Sequence, residues 1–150
     1  PDRCRPSGKR LPERPIVLWP YTRMNDPRVR WGDRMIRLHQ HPSGGPFKIG
    51  IWLKEGMAGY WRNGLLMLKA FPPGRPDQLL DYGCSFETFT REEMLEVESL
   101  AEKVTLEPGE SASHPETWAL FEAEAPPFGE EEGRAWLDRH ALQMSPWFLD

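Results

Sequence analysis

Cysteine is scarce in this chain of 150 residues: two thiols, Cys4 and Cys84, lie far apart. They supply neither a disulfide framework nor a metal-binding spacing, which fits a reducing compartment and makes the cytoplasm the expected location. Long apolar runs are missing too. Nothing approaches the length of a membrane span, and the first residues lack the apolar core of a signal peptide, so no membrane partner is expected. An excess of basic residues is also lacking. Lys and Arg number 19 against 23 Asp and Glu, a formal charge of -4, which argues against nucleic acid as the main partner. The glycine-rich spots Gly44-Gly45 and Pro108-Gly109 have the context of turns and lack the strand-to-helix setting of a phosphate loop. Four histidines are present, but His39 and His41 have no third ligand at a zinc-like distance, so no metal site is expected.

What the chain does have is apolar bulk and turns. Hydrophobic residues make up 39%, with seven Trp and seven Phe, and 28% of residues are charged, so a packed soluble domain is expected and disorder throughout is not. A chain this long forms one ordinary domain and buries roughly 70% of its unfolded surface. Residues 1–14, rich in Pro and Arg, read as an N-terminal arm or linker, and residues 15–150 as the domain. There is no internal repeat.

The organising stretch is 84–122. Ser85, Glu87 and Phe89 alternate with Cys84, Phe86 and Thr88; after a polar break at Arg91 to Glu93, Leu95, Val97 and Ser99 alternate with Glu96 and Glu98. A period of two predicts strands. Leu106 to Glu110 predicts a Pro-Gly turn, and Ala112 to Ala123 a long final strand with Trp118 and Leu120 on one side and His114, Glu116 and Trp118 on one face. Earlier, strands are expected over 15–21, 34–40 and 47–53. Ala58 to Arg62 and Leu65 to Phe71, joined by Asn63-Gly64, carry the strongest hairpin signal, because Asn-Gly accepts the positive φ angles of a two-residue turn. Glu130 to Leu142 is the one convincing helix, with its acids at the N-terminus where the helix dipole favours them. The tail SPWFLD is expected to pack on the sheets. The fold class is therefore all-β, an antiparallel β-sandwich with one short C-terminal helix; an up-and-down barrel is the rival.

Three carboxylates stand out. Glu96 and Glu98 share a strand face, and Glu87 comes from the run that could pair with it. Adjacent carboxylates raise one another's pKa, which suits proton transfer near neutral pH; the plainer alternative is a solvated outer face. Lys48 and Lys69 are set into apolar strands, where they either donate to a polar ligand or simply snorkel. Trp19, Tyr21, Trp52, Tyr60 and Trp61 could stack on sugar rings or form core. His39 and His41 fall beside a strand, and solvent-facing histidines are the alternative reading there.

As a set, Phe86-Glu87-Thr88-Phe89-Thr90, Leu95-Glu96-Val97-Glu98-Ser99-Leu100, Val104-Thr105-Leu106-Glu107-Pro108-Gly109-Glu110-Ser111, His114 and Glu116-Thr117-Trp118 resemble the C-terminal part of galactose-mutarotase-like proteins, and more closely an uncharacterised bacterial family within that superfamily. Ile16 to Thr22, Asn25 to Arg28, Lys48-Ile49-Gly50 and Gly64-Leu65-Leu66 extend the resemblance. It implies half of a β-supersandwich that binds a sugar on a concave sheet. It also implies Glu98 as the general base of an aldose epimerase working without cofactor, because Val97-Glu98-Ser99-Leu100 is similar to the Leu-Glu-Thr-Gln segment that carries that base. Leu100 stands where the family has Gln, and the family's acid, a His, comes from a region ahead of this chain. Glu87, Glu96, Lys48, Lys69, His39, Trp19 and Tyr21 are then the expected sugar-binding residues. Two other classes compete: a module that binds a sugar or small polar ligand without catalysis, and a structural half-domain that associates through its strand edges, with a homo-oligomer as one outcome.

Overall fold

The computed structural model describes residues 14–144, so residues 1–13 of the N-terminal arm and the SPWFLD tail lie outside the described residues. The chain is mostly antiparallel sheet with one C-terminal helix. In order, the strands are β1 (Ile16–Leu18), β2 (Val29–Arg30), β3 (Arg37–Leu38), β4 (Phe47–Ile51), β5 (Met57–Arg62), β6 (Leu65–Ala70), β7 (Phe86–Arg91), β8 (Met94–Ser99) and β9 (Thr117–Glu122). Helix α1 spans Glu130–Met144.

Three sheets result. The largest has the order β1-β4-β7-β8, a second has β5-β6-β9, and β2-β3 form a two-stranded ribbon. Alternation sets the faces of the four-stranded sheet. Phe47 and Ile49 point to one side and join Val29 of the ribbon in a buried cluster, with Leu18, Ile36 and Leu38 packed around it. Thr88 and Thr90 lie on that same apolar side, and their hydroxyls donate to the carbonyls of Glu96 and Met94, at 2.7 and 2.8 Å. Buried hydroxyls are tolerated there because each has an acceptor. The opposite side carries Lys48, Glu87, Glu96 and Glu98.

The three-stranded sheet begins with the Asn63-Gly64 hairpin, whose two turn residues have φ of 50° and 82°. One of its faces, Leu66, Leu68 and Ala70, is covered by α1 through Trp136 and Met144. The helix buries the stripe Gly133, Trp136, Leu137, His140, Ala141 and Met144, spaced by three and four residues, as helix geometry requires. Leu142, apolar though it is, falls off that stripe and is 73% exposed.

Several strands are shorter than their patterns predict: 15–21 reduces to Ile16–Leu18 and 47–53 to Phe47–Ile51. The expected strand 34–40 reduces to Arg37–Leu38. Arg37 is drawn to the carbonyls of Pro127, Phe128 and Gly129 ahead of the helix, and Glu130 Oε1 accepts the backbone N–H groups of Arg34 and Met35. The long final strand begins only at Thr117. Pro115 lacks the N–H a ladder needs, and the side chains of His114 and Glu116 turn to Ser99 instead. His114 and Glu116 are therefore not strand residues.

The two larger sheets touch at one end. Phe71 and Phe86 stack at 6.1 Å, and Lys69 of β6 donates to the Val97 carbonyl of β8 at 3.0 Å.

Candidate functional site

On the polar face of the four-stranded sheet, register brings distant residues side by side. Lys48 of β4 lies opposite Phe89 of β7, which lies opposite Glu96 of β8; one step along, Gly50, Glu87 and Glu98 form the next row. Lys48 Nζ stands between the two rows. It is 2.7 Å from Glu87 Oε2 and 3.2 Å from Glu98 Oε2.

The edge of the sheet supports that lysine. After β1 the chain turns, the Thr22 N–H donating to the Trp19 carbonyl. The Thr22 hydroxyl accepts from the Lys48 N–H at 3.0 Å and donates to the Lys48 carbonyl at 2.6 Å, standing in for one more residue of ladder. Trp19 is thereby held with its ring 4.8 Å from Lys48 Nζ, a cation–π contact. Tyr21 meets Phe89 edge-on at 6.3 Å.

Gly50 makes room on the other side. A Cβ there would stand 2.5 Å from Cys84 Sγ, so only glycine lets Cys84 sit against the sheet beside Glu87. Asp81, Tyr82 and Gly83 precede it with φ of 47°, 60° and 92°. Three successive residues in the left-handed region, two of them not glycine, are costly. This turn sets the Asp81 carboxyl near enough to Glu87 to act on its protonation.

The electrostatics follow from burial and crowding. Glu87 is 2% exposed, and burial pushes its carboxyl above the ordinary value; Asp81 adds to the rise, and Lys48, which it shares with Glu98, opposes it without cancelling it. Burial and the neighbouring Glu98 carboxyl also raise Glu96. Lys48 is raised: desolvation works to lower it, and the hydrogen bonds to Glu87 and Glu98 outweigh that. The Cys84 thiol is pushed up to about 12 by burial and by the Glu87 and Asp81 carboxyls, so it is a poor nucleophile. Two carboxylate oxygens, Glu87 Oε1 and Glu98 Oε1, are buried without a hydrogen-bond donor. Each of these side chains has a carboxyl neighbour, Asp81 beside Glu87 and Glu96 beside Glu98.

Of the residues expected to bind sugar, Lys48, Glu87, Glu96, Glu98, Trp19 and Tyr21 are gathered on or beside this face. Lys69 and His39 are not. Lys69 is 6% exposed at the junction of the two larger sheets, 2.7 Å from Glu116 Oε1 and 5.7 Å from the Trp118 ring. His39 ends the ribbon, which packs on the opposite, apolar face, and its backbone N–H donates to the Arg28 carbonyl. Neither has an apolar reason to reach the carboxylates: the alternation that made Lys69 conspicuous points it to the sheet junction. Trp52 and Trp61 are likewise engaged elsewhere, Trp52 with the Pro73 and Gly74 carbonyls and Trp61 with Ala123 and the helix core.

Asp81 and Phe89 were not singled out by sequence. The one signal for Asp81 is its place two residues ahead of Gly83, in a stretch rich in turn formers. A second polar constellation at the sheet junction also escaped notice. Ser99 Oγ is 2.8 Å from His114 Nε2 and donates to Glu116 Oε1, whose carboxylate also binds Lys69 and the Trp118 indole N–H. Ser, His and Glu meet here, but not as a nucleophile triad: the carboxylate lies on the Ser99 side of the ring, 3.8 Å from the same Nε2, where a triad needs it on Nδ1. These groups satisfy one another and tie the sheets together.

A cleft of about 200 Å³ lined by Thr117, Trp118, Ala119, Phe121, Gln143 and Met144 lies between β9 and the end of α1. None of Lys48, Glu87, Glu96 and Glu98 lines it. Among the described residues no His, Cys, Asp and Glu side chains group in threes fit to hold a metal ion, and no helix is long and apolar enough to cross a membrane. Comparisons with protein-family models, curated proteins and solved structures give no significant match.

Proposed function

We propose that the polar face of the four-stranded sheet binds a sugar, as the resemblance to galactose-mutarotase-like proteins implies, and that the chain is part of such a supersandwich. The observation that carries this reading is Lys48 held between Glu87 and Glu98 beside the aromatic residues Trp19, Tyr21 and Phe89. Carboxylates and an ammonium group present acceptors and donors to ring hydroxyls, while Tyr21 and Phe89 offer an apolar surface to the C–H face of the ring. Tyr21 is 43% exposed and the Glu98 side chain 33%, so the rim of the face is within reach of a hydrophilic ligand that keeps part of its hydration.

A specific arrangement favours catalysis as a second reading. Glu98 is paired with Lys48, and Glu96 stands beside it with its carboxyl raised. Two neighbouring carboxyl groups in unlike environments are suited to act as base and acid. In that reading Glu98 takes the proton of the anomeric hydroxyl, the C1–O5 bond breaks as the aldehyde forms, and O5 receives a proton from Glu96. Reclosure on the other carbonyl face gives the second anomer.

Calorimetry against glucose and galactose tests binding, and polarimetry of freshly dissolved α-anomers tests ring opening. Binding with accelerated mutarotation that Glu98→Gln abolishes would support the enzyme. Binding without acceleration would leave a non-catalytic module. Failure to bind any sugar would overturn the proposal and favour a structural role for the sheet edges.

A further inference from the structure

The outer strands of the two larger sheets are not alike. β1 is three residues long and lies between Pro15 and Pro20; β8 carries Glu96 and Glu98; β5 has Gly59 near its middle and Arg62 at its end. Short length, flanking proline, charge and interior glycine all weaken a free edge as a pairing surface. β9 has none of these. Its residues Thr117 to Phe121 are uncharged, free of proline and glycine, and rich in strand formers.

β9 is open along its edge and on one face. The Ala123 N–H donates to the Gly64 carbonyl, so the odd-numbered residues of β9 turn their backbone groups to β6. The N–H and C=O groups of Trp118, Leu120 and Glu122 therefore point out of the sheet, and among the described residues they have no hydrogen-bond partner. Their side chains lie on the face away from α1, where Tyr60, Met67 and Leu120 form one row across the sheet. Trp118 is 63% exposed and Leu120 72%, so unpaired backbone and uncovered apolar surface coincide on this strand.

We propose that β9 pairs antiparallel with β9 of a second copy of this chain, about a two-fold axis at Leu120. Charge and register select that occupant. With the axis at Leu120, all three outward residues pair: Leu120 faces Leu120 of the second copy, and Trp118 faces Glu122 in both directions. The row Tyr60, Met67, Leu120 then runs on unbroken into the same row of the second copy, and no like charges stand opposite within the strands. An axis at Ala119 would set Glu116 against Glu122 twice, and like charges directly opposite are destabilising. An axis at Phe121 would set Leu120 against Glu122 and carry Trp118 past the end of the partner strand. On the other face, Phe121 of the second copy comes opposite Ala119, at the cleft that Thr117, Ala119 and Phe121 line with the end of α1. Both copies use the same patch, as a two-fold requires. Two strands of this length with their large apolar side chains bury about 1,000 Å² in total, the lower bound of a specific interface, so the dimer is a micromolar one.

Sedimentation velocity of the whole chain from about 1 to about 100 μM tests this. A monomer–dimer equilibrium with its midpoint in the micromolar range is expected. Leu120→Lys should stay monomeric across the series with an unchanged circular dichroism spectrum, because its side chain is exposed. In a Cys4→Ser background, Leu120→Cys should cross-link to a dimer on mild oxidation, since opposed residues of a hydrogen-bonded pair stand about 5.5 Å apart at Cα, a separation that suits a disulfide. Glu122→Cys should not, because Trp118 lies opposite it. A monomer at the highest concentration, or a dimer that Leu120→Lys leaves intact, would overturn the proposal, and so would Glu122→Cys cross-linking as readily as Leu120→Cys. Should Leu120→Lys fail to fold, the two cysteine variants still decide. The proposed sugar site lies on the four-stranded sheet, so failure of either reading leaves the other standing.

Discussion

Lys48 and Glu98 meet at 3.2 Å although a whole strand, β7, runs between theirs. The lysine reaches along the sheet face past Glu87, so one cation bridges three strands. Its loss leaves Glu87 buried and without the ammonium group it pairs with.

Lys48→Met should therefore destabilise the fold by about 3 kcal/mol, the usual cost of breaking a largely buried pair from one side. Urea unfolding measures it. Lys48→Met combined with Glu87→Gln should recover at least half of the loss, because the uncompensated charge is then gone. A double variant no more stable than Lys48→Met would show that packing, not charge, sets the cost.

The raised carboxyls give stability a slope in pH. Glu87 holds its proton more tightly in the fold than in the unfolded chain, where its ordinary value is 4.5. Its contribution is therefore full below that value and lost as pH rises through the raised one. Glu96 acts in the same direction. Asp26, lowered chiefly by its hydrogen bond to Arg28, acts oppositely: its contribution is lost as pH falls. Glu87→Gln should remove part of the alkaline-side loss, so its urea midpoint gains on the wild type as pH rises from acid to neutral. Parallel curves would refute the assignment.

Gly50 and Cys84 form a packing pair. A strand Gly→Ala change ordinarily gains stability, but here the new methyl meets Cys84 Sγ at 2.5 Å. Gly50→Ala should cost about 2 kcal/mol through overpacking, and Cys84→Ala should suppress most of that cost, since the next contacts are at 3.4 Å. Additive effects in this cycle would argue against the contact. In a Cys4→Ser background the Cys84 thiol should not react with an aromatic disulfide reagent at pH 8 until the protein unfolds; prompt reaction in the native state would contradict its burial.

Lys69→Met should weaken the fold by about 2 kcal/mol, because Glu116 and the Val97 carbonyl lose their partner in a covered site. It should leave sugar affinity unchanged. A loss of binding with intact stability would return Lys69 to the ligand site.

Much of the local structure was legible in the sequence. Asn63-Gly64 fixed a hairpin because few other pairs adopt its positive φ angles, and a period of two placed Glu87, Glu96 and Glu98 on one face once β7 and β8 pair, which a short turn makes nearly unavoidable. Boundaries were less legible. Pro115 ended a strand that alternation alone would have extended, and Leu142 was apolar in composition but lay off the stripe that α1 buries.

Sequence by itself thus determined the antiparallel strands, the C-terminal helix and the shared face of the three glutamates, since these depend on residues near one another along the chain. Only the tertiary structure decided that β4 lies beside β7, with the β5–β6 hairpin sent to another sheet between them. That choice seats Lys48 among the carboxylates and sends Lys69 to the sheet junction, although both are lone lysines in apolar strands. Alternation tells which way a side chain points; it cannot tell which strand lies next to it, because that is settled by packing between distant segments.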